Sequence, residues 1–498
     1  MNVNPITRLD YPDPDVIRVE DTYYMVSTTM HFMPGCEILQ SFDLVHWEHA
    51  TYVYETLDHT DAQQLKSGQN IYGQGMWAAS LRYHEGRFYI CFVANDTRKT
   101  YLYTSEKIDG PWKKQLIEGF YHDGSLLFDE DGRNYIVYGN DEIWITELNE
   151  DLTAPKKDGL HRLLVSDHKN PELGYEGSHI QKINGYYYIF LIHSLRDRWM
   201  RTEACFCSDS LEGEFTGGDV LCDDRGYCGQ GVAQGGIVDT PDGKWYAMLF
   251  QDSGAVGRLP ILLPVTWKDH FPVFGQNGHV PEEIEVHSTR PGYIYQPLVG
   301  SDDFCNGLLP RWQFNHDPDP QYYHLDALQG TYTITTREVC TELTQAVNTL
   351  TQRMSYPSCA AEVTVDASAL KEGDVAGLCA LQGCYAAVGI TKHHGKYEVL
   401  MLDKKEDGIL DMTEGTVVES HQMDFRLEAD FCNMKDEARC YYRVNKGDWL
   451  PIGTVHRLYF KLDHFTGCRF GLFCYAAEET GGSACFRDFK YYDIDEIS

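Results

Sequence analysis

One short pattern is written five times between the N-terminus and about residue 270: a strand, a turn carrying Asp or Gly, then an aromatic-rich strand. The copies pair Asp15-Val16-Ile17 with Tyr23-Tyr24-Met25-Val26, Ser80-Leu81-Arg82 with Phe88-Tyr89-Ile90, and Ser125-Leu126-Leu127 with Tyr135-Ile136-Val137. The fourth is the stretch Tyr175-Glu176-Gly177-Ser178-His179-Ile180-Gln181-Lys182-Ile183-Asn184-Gly185-Tyr186-Tyr187-Tyr188-Ile189-Phe190, and the fifth pairs Gly236-Ile237-Val238 with Trp245-Tyr246-Ala247. In the fourth copy Asn184-Gly185 is a turn pair that suits the twist of a two-residue hairpin. Several copies continue into a further strand that ends in a polar turn, as Tyr101-Leu102-Tyr103 does ahead of Gly110-Pro111. A unit of about 55 residues holding about four strands has the length of a propeller blade. One blade cannot bury both faces of its sheet, but blades stacked around an axis bury each other. The pattern predicts a five-bladed β-propeller.

Beyond about residue 270 the pattern stops, and Pro272, Gly275, Gly278, Pro281 and Pro291-Gly292 mark a linker. From Asp302 the chain changes to short alternating strands such as Thr331-Tyr332-Thr333-Ile334-Thr335, which predict a β-sandwich of jelly-roll type. The expected division of this all-β chain is residues 1–297 and 298–498.

Composition narrows the partners. Asp and Glu number 75 against 42 Lys and Arg, a formal charge of -33 that repels nucleic acid and anionic membranes and favours a neutral substrate. No apolar stretch is long enough to span a bilayer. Met1-Asn2-Val3-Asn4-Pro5 has no basic region leading into an apolar run, so the expected location is cytoplasmic. The 16 Cys show no Cys-x-x-Cys spacing and are read as reduced thiols, not metal ligands. The oligomeric state is left open, a homo-oligomer included.

Aligned on their first strands, the five copies place Asp13, Ala78, Asp123, Glu176 and Gln234 at one repeated position. The first strand of each blade lines the axis, so these five are expected to face one pocket at one end of it. Three are carboxylic acids, and unpaired acids are rarely buried without a reason. An isolated Glu in the place of Glu176 would be a solvated strand end; its coincidence with two other acids points to chemistry. Two carboxyl groups facing one substrate are the minimal equipment for cleaving a glycosidic bond: one protonates the leaving oxygen and the other activates water or attacks. A third carboxylate raises the affinity of such an acid for its proton and orients it. Trp77, next to Ala78, is the candidate to stack on a sugar face, and the planar fork of Arg258 the candidate to bind hydroxyls.

The same stretches resemble glycoside hydrolase family 43, the β-xylosidases and α-L-arabinofuranosidases. The matching segments are Pro12-Asp13-Pro14-Asp15-Val16-Ile17, Trp77-Ala78, Asp123-Gly124-Ser125-Leu126, Glu176-Gly177-Ser178-His179 and Gly257-Arg258. In the C-terminal half Asp302-Asp303-Phe304, Trp312-Gln313-Phe314-Asn315-His316 and Leu350-Thr351-Gln352-Arg353 resemble the sandwich appended to many members. The resemblance implies an inverting, exo-acting hydrolase that releases terminal β-D-xylose or α-L-arabinofuranose from xylan- or arabinoxylan-derived oligosaccharides. It implies Asp13 as general base, Glu176 as general acid, Asp123 as the residue that tunes that acid, and Trp77 and Arg258 in the terminal-sugar subsite. It also implies a sandwich loop that narrows the pocket mouth.

Two positions depart from the family. Met30 stands where xylosidases often carry Phe, which changes the wall of the sugar pocket. Gln234 stands where many members place a metal-binding His; its carbonyl oxygen could still serve a Ca²⁺, which is not required. Two other readings compete. A five-bladed retaining fructan hydrolase would carry Arg-Asp-Pro, where this chain has Arg196-Asp197-Arg198. A non-catalytic carbohydrate-binding propeller would have no need of all three acids.

Overall fold

The computed structural model describes residues 3–413 and 415–494. Five four-stranded antiparallel sheets, each a simple meander, account for the first half of the chain. Their innermost strands, Asp15–Val19, Met76–His84, Ser125–Phe128, Glu176–Ile183 and Ala233–Asp239, touch one another in a ring around the axis. These are blades one to five.

The aromatic-rich second strands make the stacking possible. In blade two (Arg87–Ala94) Phe88, Ile90 and Phe92 enter the core shared with blade one, while Tyr89 and Cys91 face blade three. Side chains alternate across a strand, so a strand buried on both faces needs apolar residues at nearly every position. The same arrangement repeats, so that each pair of neighbouring blades shares one apolar core, including blade five with blade one. The ring closes without exchanging a strand. Instead the N-terminal segment runs along the third strand of blade five, with Ile6 N–H on Pro260 O and Tyr11 N–H on Arg258 O.

Arg82 crosses the axis below the ring's upper rim. Its guanidinium donates to the Asp15 carboxylate, the Ser125 hydroxyl and the carbonyls of Leu126 and Ile180, so it ties four blades together.

Residues 275–286 stay against blades four and five, with Val280 N–H on Asp223 and Tyr246 donating to Glu285 O, and the chain then passes over blade one, where Arg290 pairs with Asp21 and Tyr293 donates to Glu48. Two packed sheets of nine and seven strands follow with a large apolar core between them, and a smaller apolar cluster covers the other face of the nine-stranded sheet. One edge strand of the larger sheet, Phe32–Met33, belongs to blade one's part of the chain and pairs with Gln313–Asn315. The two halves are thus stitched by main-chain hydrogen bonds as well as by side chains, a feature the sequence pattern did not predict. Three short helical turns, Lys66–Gly68, Leu343–Gln345 and Cys432–Met434, are the helical content of the described residues, and no helix is long and apolar enough to cross a membrane. All sixteen cysteines are unpaired.

Candidate active site

Hydrogen bonds between blades fix which residues are equivalent. Asp15 accepts the N–H of Leu81, Ser80 that of Leu126, and Ser125 that of Ile180. Counting two residues back from this ladder gives Asp13, Ala78, Asp123 and Gly177, with Gln234 in blade five. Four of the five share a left-handed backbone: φ is 54° at Asp13, 47° at Asp123, 65° at Gly177 and 61° at Gln234. Glu176 therefore does not occupy the repeated position, as the alignment expected; it sits one residue earlier. An irregular register follows Glu176 as it does the equivalent residues of blades two and five, so the strand pairing itself does not mark the offset. Its consequence is chemical. The left-handed turn falls on a glycine, and a Cβ there would lie 2.7 Å from the Gln234 side chain. The Glu176 side chain, moved one step toward the rim, keeps 22% of its surface exposed, against 6% for Asp13 and 7% for Asp123.

The three acids meet different partners. Asp13 accepts Arg258 Nη1 at 2.7 Å and the Thr28 hydroxyl at 2.6 Å. Arg258 lies 4.7 Å from the centre of the Phe250 ring and 4.5 Å from that of Phe465, and its Nε is 3.3 Å from Asp252. Asp252 in turn pairs with Arg201, whose pKa is lowered to about 9 by burial and by the charge of Arg258.

Asp123, Glu176 and His122 form a second group whose oxygen and nitrogen atoms lie within 4.8 Å of one another; Asp13 stands outside it. His122 Nε2 is 3.6 Å from Asp123 and 3.5 Å from Glu176, ion-pair rather than hydrogen-bond distances. Asp123 also accepts the N–H of Gly177 at 2.9 Å, and Glu176 accepts from Asn140 at 2.7 Å. Burial, then the charges of Glu176 and Asp13, push Asp123 up to about 6 against the opposing pull of His122. Burial disfavours the His122 cation, but Asp123, Glu176 and Asp13 outweigh it and raise His122 to about 9. Asp123 and His122 thus each retain a proton to a higher pH than they would alone, and protons so coupled belong to the pair rather than to one member.

The structure brings Trp77 and Arg258 to this pocket. Trp77 lies 5.8 Å from the His122 ring and 5.4 Å from Phe465, which reaches over from the sandwich. Met30 is buried where blades one and two meet, its backbone paired with Met76 beside Trp77. Gln234 is buried, packs over Gly177 and donates its N–H to Glu203 at 2.7 Å. Asp10 joins these parts: one carboxylate oxygen accepts Arg258 N–H and the other Gly467 N–H, both at 2.8 Å, clasping the Phe465 loop to blade five.

These residues do not suit a Ca²⁺ at the axis. That ion takes about six to eight oxygen ligands, whereas Asp15 is engaged by the guanidinium of Arg82 and Gln234 is the lone expected donor. His122, Asp123 and Glu176 are close enough to share a cation, but the His122 imidazolium already supplies positive charge there.

His122, Asn140, Arg201, Asp252 and Phe465 were not anticipated. His122 carried a signal, since it directly precedes a repeat-position acid. The others come from outer-strand ends or the second domain, which the repeat does not index.

Comparison with known proteins agrees with this architecture. Residues 3–272 match the family described as Glycosyl hydrolases family 43, and residues 301–492 match the Beta xylosidase C-terminal Concanavalin A-like domain. A Beta-xylosidase of Formosa agariphila is 26% identical over 99% of this chain and 89% of that protein. A Xylosidase/arabinosidase of Butyrivibrio fibrisolvens is 24% identical over 99% of both chains. A solved bifunctional GH43-CE protein from Bacteroides eggerthii superposes with a TM-score of 0.92 at 42% identity, over 99% of this chain; the chain spans 64% of that protein's length.

Proposed function

The chain belongs to glycosyl hydrolases family 43, and from that premise we propose an exo-acting, inverting glycosidase that releases terminal pentoses, β-D-xylose or α-L-arabinofuranose, from xylan-derived oligosaccharides. The observation that carries the reading is the division of the acids into two environments. Asp13, in blade one, is fixed between Arg258 and Thr28; Glu176, in blade four, stands with Asp123 and His122 in a group that does not include Asp13.

In this reading Asp13 takes a proton from water as the water attacks the anomeric carbon. Glu176, the acid nearest the rim, gives a proton to the leaving oxygen. Asp123 positions Glu176 through the Gly177 N–H. Trp77 and Phe465 offer aromatic faces to the terminal ring, and the sandwich loop that carries Phe465 shortens the pocket so that a chain end fits best. Arg196-Asp197-Arg198 lacks the proline of Arg-Asp-Pro, and Arg196 pairs with Asp167 rather than with any of the three acids, which weighs against the fructan alternative. Action in the cytoplasm on imported fragments belongs to the same proposal.

The test is a panel of nitrophenyl β-D-xyloside, α-L-arabinofuranoside and β-D-galactoside, with linear xylo-oligosaccharides beside it. Hydrolysis of one or both pentosides and release of single pentoses support the reading. Activity on the galactoside alone, or release of long fragments from within the chain, contradicts it.

A further inference from the structure

The two carboxyl oxygens of Glu176 have different surroundings. Oε2 accepts the side-chain amide of Asn140 at 2.7 Å, and His122 Nε2 faces the same oxygen at 3.5 Å. Among the described residues no group donates to Oε1. Rotation about the last bond of a Glu side chain is broad and roughly two-fold, so a carboxyl group with no fixed partner interchanges its oxygens. A donor on one oxygen removes that freedom.

The backbone around Asn140 makes it a fixed donor. Asn140 ends the second strand of blade three (Asn134–Asn140), and a tight turn returns the chain at Glu142. The residue before it, Gly139, donates its N–H to the carbonyl of His122 at 3.1 Å, and the residue after it, Asp141, donates to the carbonyl of Tyr175 at 2.9 Å. His122 directly precedes Asp123, and Tyr175 directly precedes Glu176. The turn that carries Asn140 is therefore anchored to both of the segments whose acids it stands beside. An amide suits the position because it is uncharged and donates to Glu176 whether or not the acid holds its proton; an Asp there would offer an acceptor instead. Asn140 is itself exposed, so replacing it should cost the fold little.

We propose that Asn140 is a positioning residue for the general acid: by occupying Oε2 it leaves the proton to Oε1 and aims that oxygen at the leaving group. The inference deepens the glycosidase reading and rests on Glu176 being the acid. Asp123 fixes the backbone beside Glu176 through the Gly177 N–H, and Asn140 fixes the carboxyl group itself. Once the proton has passed from Oε1 to the leaving oxygen, the same amide holds the carboxylate in place until it is reprotonated.

The experiment measures kcat, KM and Tm of the full-length wild type, Asn140→Ala, Asn140→Asp, Asn140→Gln and Glu176→Gln on two substrates. One is a linear oligosaccharide of the pentose released; the other is that pentose's dinitrophenyl glycoside, whose leaving group departs without a proton. Asn140→Ala and Asn140→Asp are expected to lose about tenfold in kcat on the oligosaccharide and less than about twofold on the dinitrophenyl glycoside, with KM and Tm near the wild type. Asn140→Gln keeps an amide donor on a longer stem and should recover most of the loss. Where Glu176→Gln is selective for the oligosaccharide, equal losses of Asn140→Ala on both substrates, or none on the oligosaccharide, overturn the role of Asn140 and leave the acid in place. Equal losses of Glu176→Gln on both substrates overturn the acid assignment and the inference with it.

Discussion

Arg258 of blade five donates to Asp13 of blade one at 2.7 Å, and both side chains are less than a tenth exposed. Removing one partner of a buried pair leaves an uncompensated charge and costs about 3–5 kcal/mol. Arg258→Met is therefore expected to lower Tm as well as activity. Asp13→Asn keeps a side chain of the same shape and leaves Arg258 with Asp252 as its counter-charge, so it should fold and lose about 10²-fold or more in kcat. Thermal melts and kcat on one pentoside check both; an Asp13→Asn enzyme with wild-type kcat removes the base assignment.

Glu176→Gln should spare substrates that need no proton. On an activated aryl glycoside the loss is expected to be small; on an unactivated oligosaccharide it should reach about 10²–10⁴-fold. Comparable losses on the two would show that Glu176 does not protonate the leaving group.

Asp10 clasps the two domains at the site, and both N–H groups it accepts lie in the protein interior. Asp10→Ala leaves two buried donors unpaired at about 1–3 kcal/mol each. It should lower Tm and reduce activity by loosening Arg258 and the Phe465 loop. Undiminished Tm would show that the clasp contributes nothing.

Much of this was legible in the sequence, and for a physical reason. A repeat writes its fold in periodic strands and turns, so five blades and the acids near their inner ends could be read directly. What could not be read depends on local irregularity or on distance along the chain. The offset of Glu176 leaves no periodic mark, because the same irregular register opens the inner strands of blades two, four and five and only in blade four does the acid stand one residue before the left-handed position. The strand pairing of Phe32–Met33 with Gln313–Asn315 joins segments far apart in sequence without any periodic mark. Phe465 reaches the pocket from a domain whose strands carry no signature of the propeller.

Histidines make stability depend on pH in two opposite ways. His122 is raised from 6.5 to about 9, so its contribution is full below pH 6.5 and is lost as pH rises through about 9. His122→Asn should remove that alkaline decline in Tm. His31, His316 and His464 cluster in the seam between propeller and sandwich, their rings 4.8–5.1 Å apart around His31. Burial lowers all three, His464 to about 3. Their contribution is present above pH 6.5 and is lost as pH falls from 6.5 toward 3. His464→Phe should shift acid unfolding to lower pH; an unmoved acid midpoint would contradict this account of the seam.

The central claim is that Asp13 and Glu176 act from opposite sides of the pocket, one on water and one on the leaving oxygen. Its most direct test is proton NMR of the first minutes of β-xyloside hydrolysis, before mutarotation. A single displacement by water yields α-xylose first, and that is the predicted result. First appearance of β-xylose would mean a covalent glycosyl-enzyme intermediate, and Asp13 would then be a nucleophile rather than a base.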